Sequence, residues 1–140
     1  FSGIMGYFTL LDQLGCIFYE KQPIRNVLKK YSGIPKKEQE ALVGLRNCLV
    51  HNYGLANKFH NFSLVDNIEN EKRVVELPKV KKTQGDYSSK EEYYTNVYIH
   101  NFTSLAEDIF RKMKENFSNN KLRPFITNIS ELRARFTIKY

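Results

Sequence analysis

The chain has 140 residues, of which 41% are apolar and 14% aromatic. That composition fits one globular domain with a core of its own and excludes disorder. The net charge of +7 is unevenly spread: residues 21–37 carry six Lys/Arg and no acid, and residues 111–140 carry eight Lys/Arg against Glu115 and Glu131, while residues 38–110 are net acidic. Two basic blocks suit a polyanion such as RNA, or simply keep a surface solvated.

Residues 1–19 are apolar enough to raise the question of a membrane. Asp12 and Gln13 lie mid-stretch, where a bilayer penalises them, and the run itself contains no charged n-region. The expectation is a cytoplasmic protein with no membrane partner. A chain that begins at Phe1 reads as a piece of a longer one, or as one whose start is missing. Cys16 and Cys48 both fall in apolar helical patterns and read as buried free thiols. His60 and His100 have no His, Cys or acid at ligand spacing, so no metal site is expected. No phosphate-binding glycine loop or nucleophile elbow occurs, and no cofactor is expected.

Helical spacing of Phe1, Ile4, Met5, Phe8, Leu11 and Phe18 predicts a first helix over residues 1–20. Asp12 falls among these apolar positions, either as a charged partner to a site or as a locally satisfied acid. Pro23 opens a short second helix to Tyr31, and Ser32 to Pro35 form a turn. Pro35 suits the first position of a third helix, which runs to about Tyr53 with Gly54 as a stop. Residues 59–66 and 73–77 read as short strands. Residues 79–92 read as a charged, mobile loop. Residues 93–100 form the clearest strand, with Tyr93, Thr95, Val97 and Ile99 facing one way. Its tyrosines read as half-buried sheet residues rather than a base-stacking platform. Helix returns near Thr103, where Ser104 and Glu107 fit a capping box and Leu105, Ile109, Met113 and Phe117 keep the period. A last short helix covers residues 128–136. The expected fold is mainly α, a helical bundle with a small antiparallel β insertion. It forms a single domain over residues 1–140: helical over 1–57, β insertion over 58–100, and helical again over 101–140.

The third helix is two-faced. At 100° per residue, Ala41, Leu42, Leu45, Cys48 and Leu49 share one side, and Val43 and Val50 share the other. Arg46 flanks the valine stripe on one edge; Asn47 and His51 flank it on the other, beside Gly44. The first face packs inside its own bundle. The second suits a second copy of the chain, with Gly44 permitting close approach, and this predicts a homodimer.

Arg46, Asn47, His51 and Tyr53 lie within eight residues of this otherwise apolar helix. Metal-free RNA cleavage needs few parts. The 2′-hydroxyl is the nucleophile. A His near neutral pH moves its proton. An Arg holds the phosphate by its planar fork and stabilises transition-state charge. An Asn orients either group. Arg46, His51 and Asn47 supply this set and are the candidate catalytic residues. The bland alternative makes Arg46 a salt bridge of the bundle and His51 a satisfied residue at a helix end. Arg46 and His51 are about 140° apart on an ideal helix, so a shared site needs two copies.

The segment Arg46-Asn47-Cys48-Leu49-Val50-His51 resembles the Arg-x4–6-His signature of the HEPN superfamily. With Tyr53 it is similar to the form found in HEPN toxins paired with a nucleotidyltransferase antitoxin. The resemblance is sharp over about eight residues and architectural over about half the chain. It implies an α-helical bundle and a homodimer. It also implies a metal-independent endoribonuclease that leaves a 2′,3′-cyclic phosphate, of toxin or phage-defence type. In the toxin branch the antitoxin attaches AMP to the motif tyrosine, which is Tyr53 here. The inferred sheet departs from the compact toxins and points to another branch, such as an abortive-infection or phage-defence protein, or to a domain cut from a larger chain. The superfamily also includes non-catalytic modules that bind RNA, a nucleotide or a partner protein.

Overall fold

The structure is a computed structural model that describes residues 2–136 apart from 52, 53 and 67. The fold is mainly helical. Three helices come first: α1 (Ser2–Phe18), α2 (Pro23–Tyr31) and α3 (Lys36–Val50). A small sheet follows, built from β1 (Asn61–Val65), β2 (Val75–Glu76) and β3 (Tyr94–Tyr98). The chain closes with α4 (Ile99–Ser118) and α5 (Ile129–Phe136). Among the described residues, no helix is long and apolar enough to cross a membrane.

The core lies where α1 to α4 converge. Ile4, Phe8 and Leu11 of α1 meet Val27 and Leu28 of α2, Leu42 and Leu45 of α3, and Phe102 and Ile109 of α4, each at most 1% exposed. The Phe8 and Phe102 rings sit 4.6 Å apart, within the range of a favourable aromatic pair. The α1–α2 turn passes through Gln22 in the left-handed region (φ 48°), and Pro23 sets the first turn of α2. Gly15 lets the two helices touch: a Cβ there would lie 2.6 Å from the Pro23 carbonyl carbon.

The sheet is mixed, not antiparallel. β3 is central; β1 pairs with it in parallel, from Asn61 opposite Tyr94 to Val65 opposite Tyr98. β2 pairs with the other edge antiparallel, Val75 opposite Val97. Side-chain alternation has the same period of two in either direction, so it gave the faces but not the sense of pairing. A parallel pair needs a long crossover, and residues 66–93 supply it with β2 inside. Thr95 and Val97, on one face of β3, are fully buried.

Two helix boundaries differ from the sequence pattern. α3 ends at Val50 rather than near Tyr53, and Pro35 sits at its N-cap. α4 starts at Ile99, directly after β3, so Ser104 and Glu107 are interior helix residues and form no capping box. Tertiary bonds fix that early start. The Asn101 amide donates to the carbonyls of Glu71 (2.9 Å) and Arg73 (2.7 Å), pinning the first turn of α4 to the crossover. The buried face therefore runs through Phe102, Ala106, Ile109 and Met113, while Phe117 is half exposed.

The same corner holds an acid–base cluster. Arg73 donates through Nε to Glu71 (2.8 Å) and through Nη1 to Glu76 (2.8 Å). Glu76 also accepts from Asn96 at 2.7 Å. Hydrogen bonds from the Arg73 side chain and backbone hold the Glu71 carboxyl down to about 2.

Two outcomes follow from this packing. Gly15→Ala costs about 1–3 kcal/mol in urea unfolding, because the Pro23 backbone must give way. The carboxyl of Glu71, followed by NMR, titrates with a midpoint near 2 and returns toward 4.5 in Arg73→Ala. Its folded pKa is depressed, so its contribution to stability is present above about 4.5 and is lost as pH falls toward 2.

Candidate functional site

The inward face of α3 is as its spacing predicts: Ala41, Leu42, Leu45, Cys48 and Leu49 are all buried. Cys48 and Cys16 are free thiols, Cys16 only half-buried. Burial pushes the Cys48 thiol up, against an opposing hydrogen bond with Asn57. The second face is divided. Val43 is buried, whereas Val50 is 45% exposed. A Cβ on Gly44 would lie 3.4 Å from the Phe62 ring, with Asn57 and His60 beside it. The close approach at Gly44 is thus made by the chain's own β insertion. The expected close approach of a second copy at Gly44 is corrected to that extent, because no local pattern marks that the insertion folds back over α3.

Arg46 leaves the far end of α3 half-buried. Its Nε donates to Asp12 Oδ2 at 2.8 Å, an ion pair in which the two side chains are 26% and 20% exposed. Its Nη1 donates to Asn47 Oδ1 at 2.9 Å. Asp12 comes from α1 and Asn47 from the next position on α3, so the guanidinium is gripped on two edges. These bonds use two of its five N–H donors. His51 is the C-cap of α3 (φ −90°, ψ 7°); its backbone N–H donates to Asn47 O at 3.0 Å, and the residue is exposed. The structure therefore brings Arg46, Asn47 and Asp12 together and puts His51 beyond them at the helix end. Tyr53 lies outside the described residues. Gly54 takes a left-handed turn conformation (φ 74°) four residues after the helix has ended.

No sequence pattern singles out Lys82. It belongs to the segment expected as a mobile charged loop, yet it is only 5% exposed. Its Nζ donates to the Asn57 carbonyl (2.7 Å) and to Asn61 Oδ1 (2.8 Å) and lies over the Tyr87 ring. Asn61 in turn donates to the carbonyls of Asp86 and Ser88. These bonds tie the loop down. Nothing in the sequence separates Lys82 from its neighbour Lys81, which is exposed. His60 stands beside it, bonded through Nδ1 to Thr95 Oγ1 at 2.9 Å and stacked on Phe62. Burial, and secondarily the Lys82 charge, hold its imidazole below the usual value. Among the described residues, no three His, Cys, Asp or Glu side chains gather into a metal-binding group.

Removing the acid that grips Arg46 leaves a half-buried guanidinium without its counter-charge. Asp12→Ala is expected to lower stability by about 1–2 kcal/mol in urea unfolding, and Asp12→Asn by less, since the amide still accepts a hydrogen bond. The chain matches no protein-family model, no curated protein and no solved structure, so the site stands on its own residues.

Proposed function

We propose that this protein is a metal-independent endoribonuclease of the HEPN type that acts in the cytoplasm as a homodimer. The observation that carries the reading is the grip on Arg46. Asp12 and Asn47 fix its guanidinium from two sides, five residues before an exposed histidine at the end of α3. Fixed donors aimed at developing charge are what phosphoryl chemistry asks of a protein.

In the proposed reaction His51 takes the proton of a ribose 2′-hydroxyl. The 2′-oxygen attacks the adjacent phosphorus, and the bond to the 5′-oxygen breaks. A second imidazole, from the partner copy, protonates that leaving oxygen. Arg46 stabilises the extra negative charge on the phosphoryl oxygens. The products are a 2′,3′-cyclic phosphate and a 5′-hydroxyl. Arg46 and His51 of one copy diverge by about 140° around α3, so the site is completed only where both copies contribute residues to one groove. In a toxin–antitoxin setting, AMP attached to Tyr53 by a nucleotidyltransferase partner blocks the same groove.

One observation favours a second reading. The Asp12–Arg46 pair gives the arginine a structural duty between α1 and α3. That duty suits a non-catalytic module that binds RNA, a nucleotide or a partner protein.

Bulk RNA incubated with the protein in EDTA separates the two. The enzyme cleaves it to cyclic-phosphate ends, and Arg46→Ala and His51→Ala each lower the rate by at least about 100-fold. Absence of cleavage by the wild-type chain overturns the nuclease reading in favour of the module. Light scattering that gives a monomer at high concentration while cleavage persists overturns the dimer.

A further inference from the structure

We infer that a basic-rimmed hollow between the start of α3 and the β insertion is a docking groove for single-stranded RNA, with a base seated on Phe59 and the flanking phosphates on Lys36, Lys37 and Lys81. The inference rests on the proposal that RNA is the ligand, but it concerns a surface away from Arg46 and His51.

The hollow has a volume of about 640 Å³, within the range of sites that take a nucleotide-sized group. Its floor is apolar: Phe59, Leu77 and Pro78. Phe59 is 63% exposed, a large ring held in the open where burial would be favourable. Lys36, Lys37 and Lys81 are exposed around that floor. The acid on the rim, Glu40, is bound by Arg25.

Lys36 and Glu40 also line a second hollow, of about 480 Å³, which continues to Arg25 and Lys29 on α2. The two hollows share Lys36 and Glu40, and with Arg25 paired to Glu40 the second hollow adds the charge of Lys29. The rim lysines of α3 also stand against the preference of the helix. Lys36 and Lys37 occupy the first turn of α3, where the backbone dipole favours acids and only Glu38 supplies one. An anion docked there relieves that repulsion and meets both side chains.

An exposed ring on an apolar floor, flanked by cations, matches the alternation of base and phosphate in a single strand. A duplex hides its bases, and an acidic peptide does not place a flat ring beside every anionic group as a single strand does. Lys82 serves the groove indirectly. Committed to Asn57 and Asn61, it holds the loop that carries Lys81 against the strand that follows Phe59.

The test is fluorescence polarisation with a labelled 12-nucleotide single-stranded RNA and full-length protein carrying His51→Ala, which prevents turnover. Phe59→Ala is expected to weaken binding by about five- to tenfold, in line with the loss of one stacked base. Lys37→Glu with Lys81→Glu is expected to weaken it by more than tenfold and to flatten the dependence on salt. Lys114→Glu, an exposed charge change on α4, is expected to leave it nearly unchanged. All these positions are exposed, and unchanged circular dichroism and Tm show that each variant is folded. Equal weakening by Lys114→Glu, no effect of the groove variants, equally tight duplex binding, or displacement of RNA by polyglutamate at equal charge each overturns the groove. The two proposals fail separately. Cleavage that needs Arg46 and His51 but ignores Phe59 and Lys81 sinks the groove alone. Groove-dependent binding without cleavage sinks the nuclease alone.

Discussion

A guanidinium drawn into the side of a helical bundle has to meet a negative charge, because an unpaired buried cation is costly. Arg46 meets Asp12, thirty-four positions earlier in the chain, and the pair ties α1 to α3. One turn before Asp12 on α1, Phe8 enters the core; Leu45, next to Arg46 on α3, is fully buried. The ion pair thus sits at the rim of the same packed contact that holds the two helices together. Asn47 closes the grip from the second side. Whatever Arg46 does, it does from an orientation set by the bundle rather than by its own flexible stem.

The β insertion decides which part of α3 remains available. β1 and β3 run parallel, and the crossover between them is anchored by a buried lysine and by Asn61. The start of this unit lies over Gly44 through Phe62 and His60. Val43 is buried, and what stays open on that side is the C-terminal end, with Val50 and His51. A partner copy in the proposed dimer meets α3 near that end and not along its whole length. The absent side chain of Gly44 therefore serves the intrachain sheet contact.

α3 also links the two proposed RNA-facing features. Lys36 and Lys37 stand at its first turn and His51 just past its last, about 22 Å away at 1.5 Å per residue. The helix is rigid over that span because one whole face of it is core. A strand docked at the start of α3 is therefore held at a fixed offset from the arginine and histidine at its end. Binding in the hollow and chemistry at the motif are separable in their residues, yet geometrically coupled through one element.

Periodicity alone determined the helices that carry the core, since apolar residues at helical spacing have one good way to be buried. Pro23 marked the start of α2, and the apolar side of α3 was legible residue by residue. The cluster at Arg46, Asn47 and His51 was legible as residue types, and Asp12 as an acid in an apolar stretch needing a reason. Only the tertiary structure joined Asp12 to Arg46, because a pairing across thirty-four residues leaves no local trace. Only it gave β1 its parallel sense, since alternation is blind to direction. Only it started α4 at Ile99, where Asn101 binds two distant carbonyls that no helix signal encodes. It alone chose Lys82 over Lys81 for burial, because two adjacent lysines are chemically identical until a carbonyl and an amide oxygen come within reach of one of them.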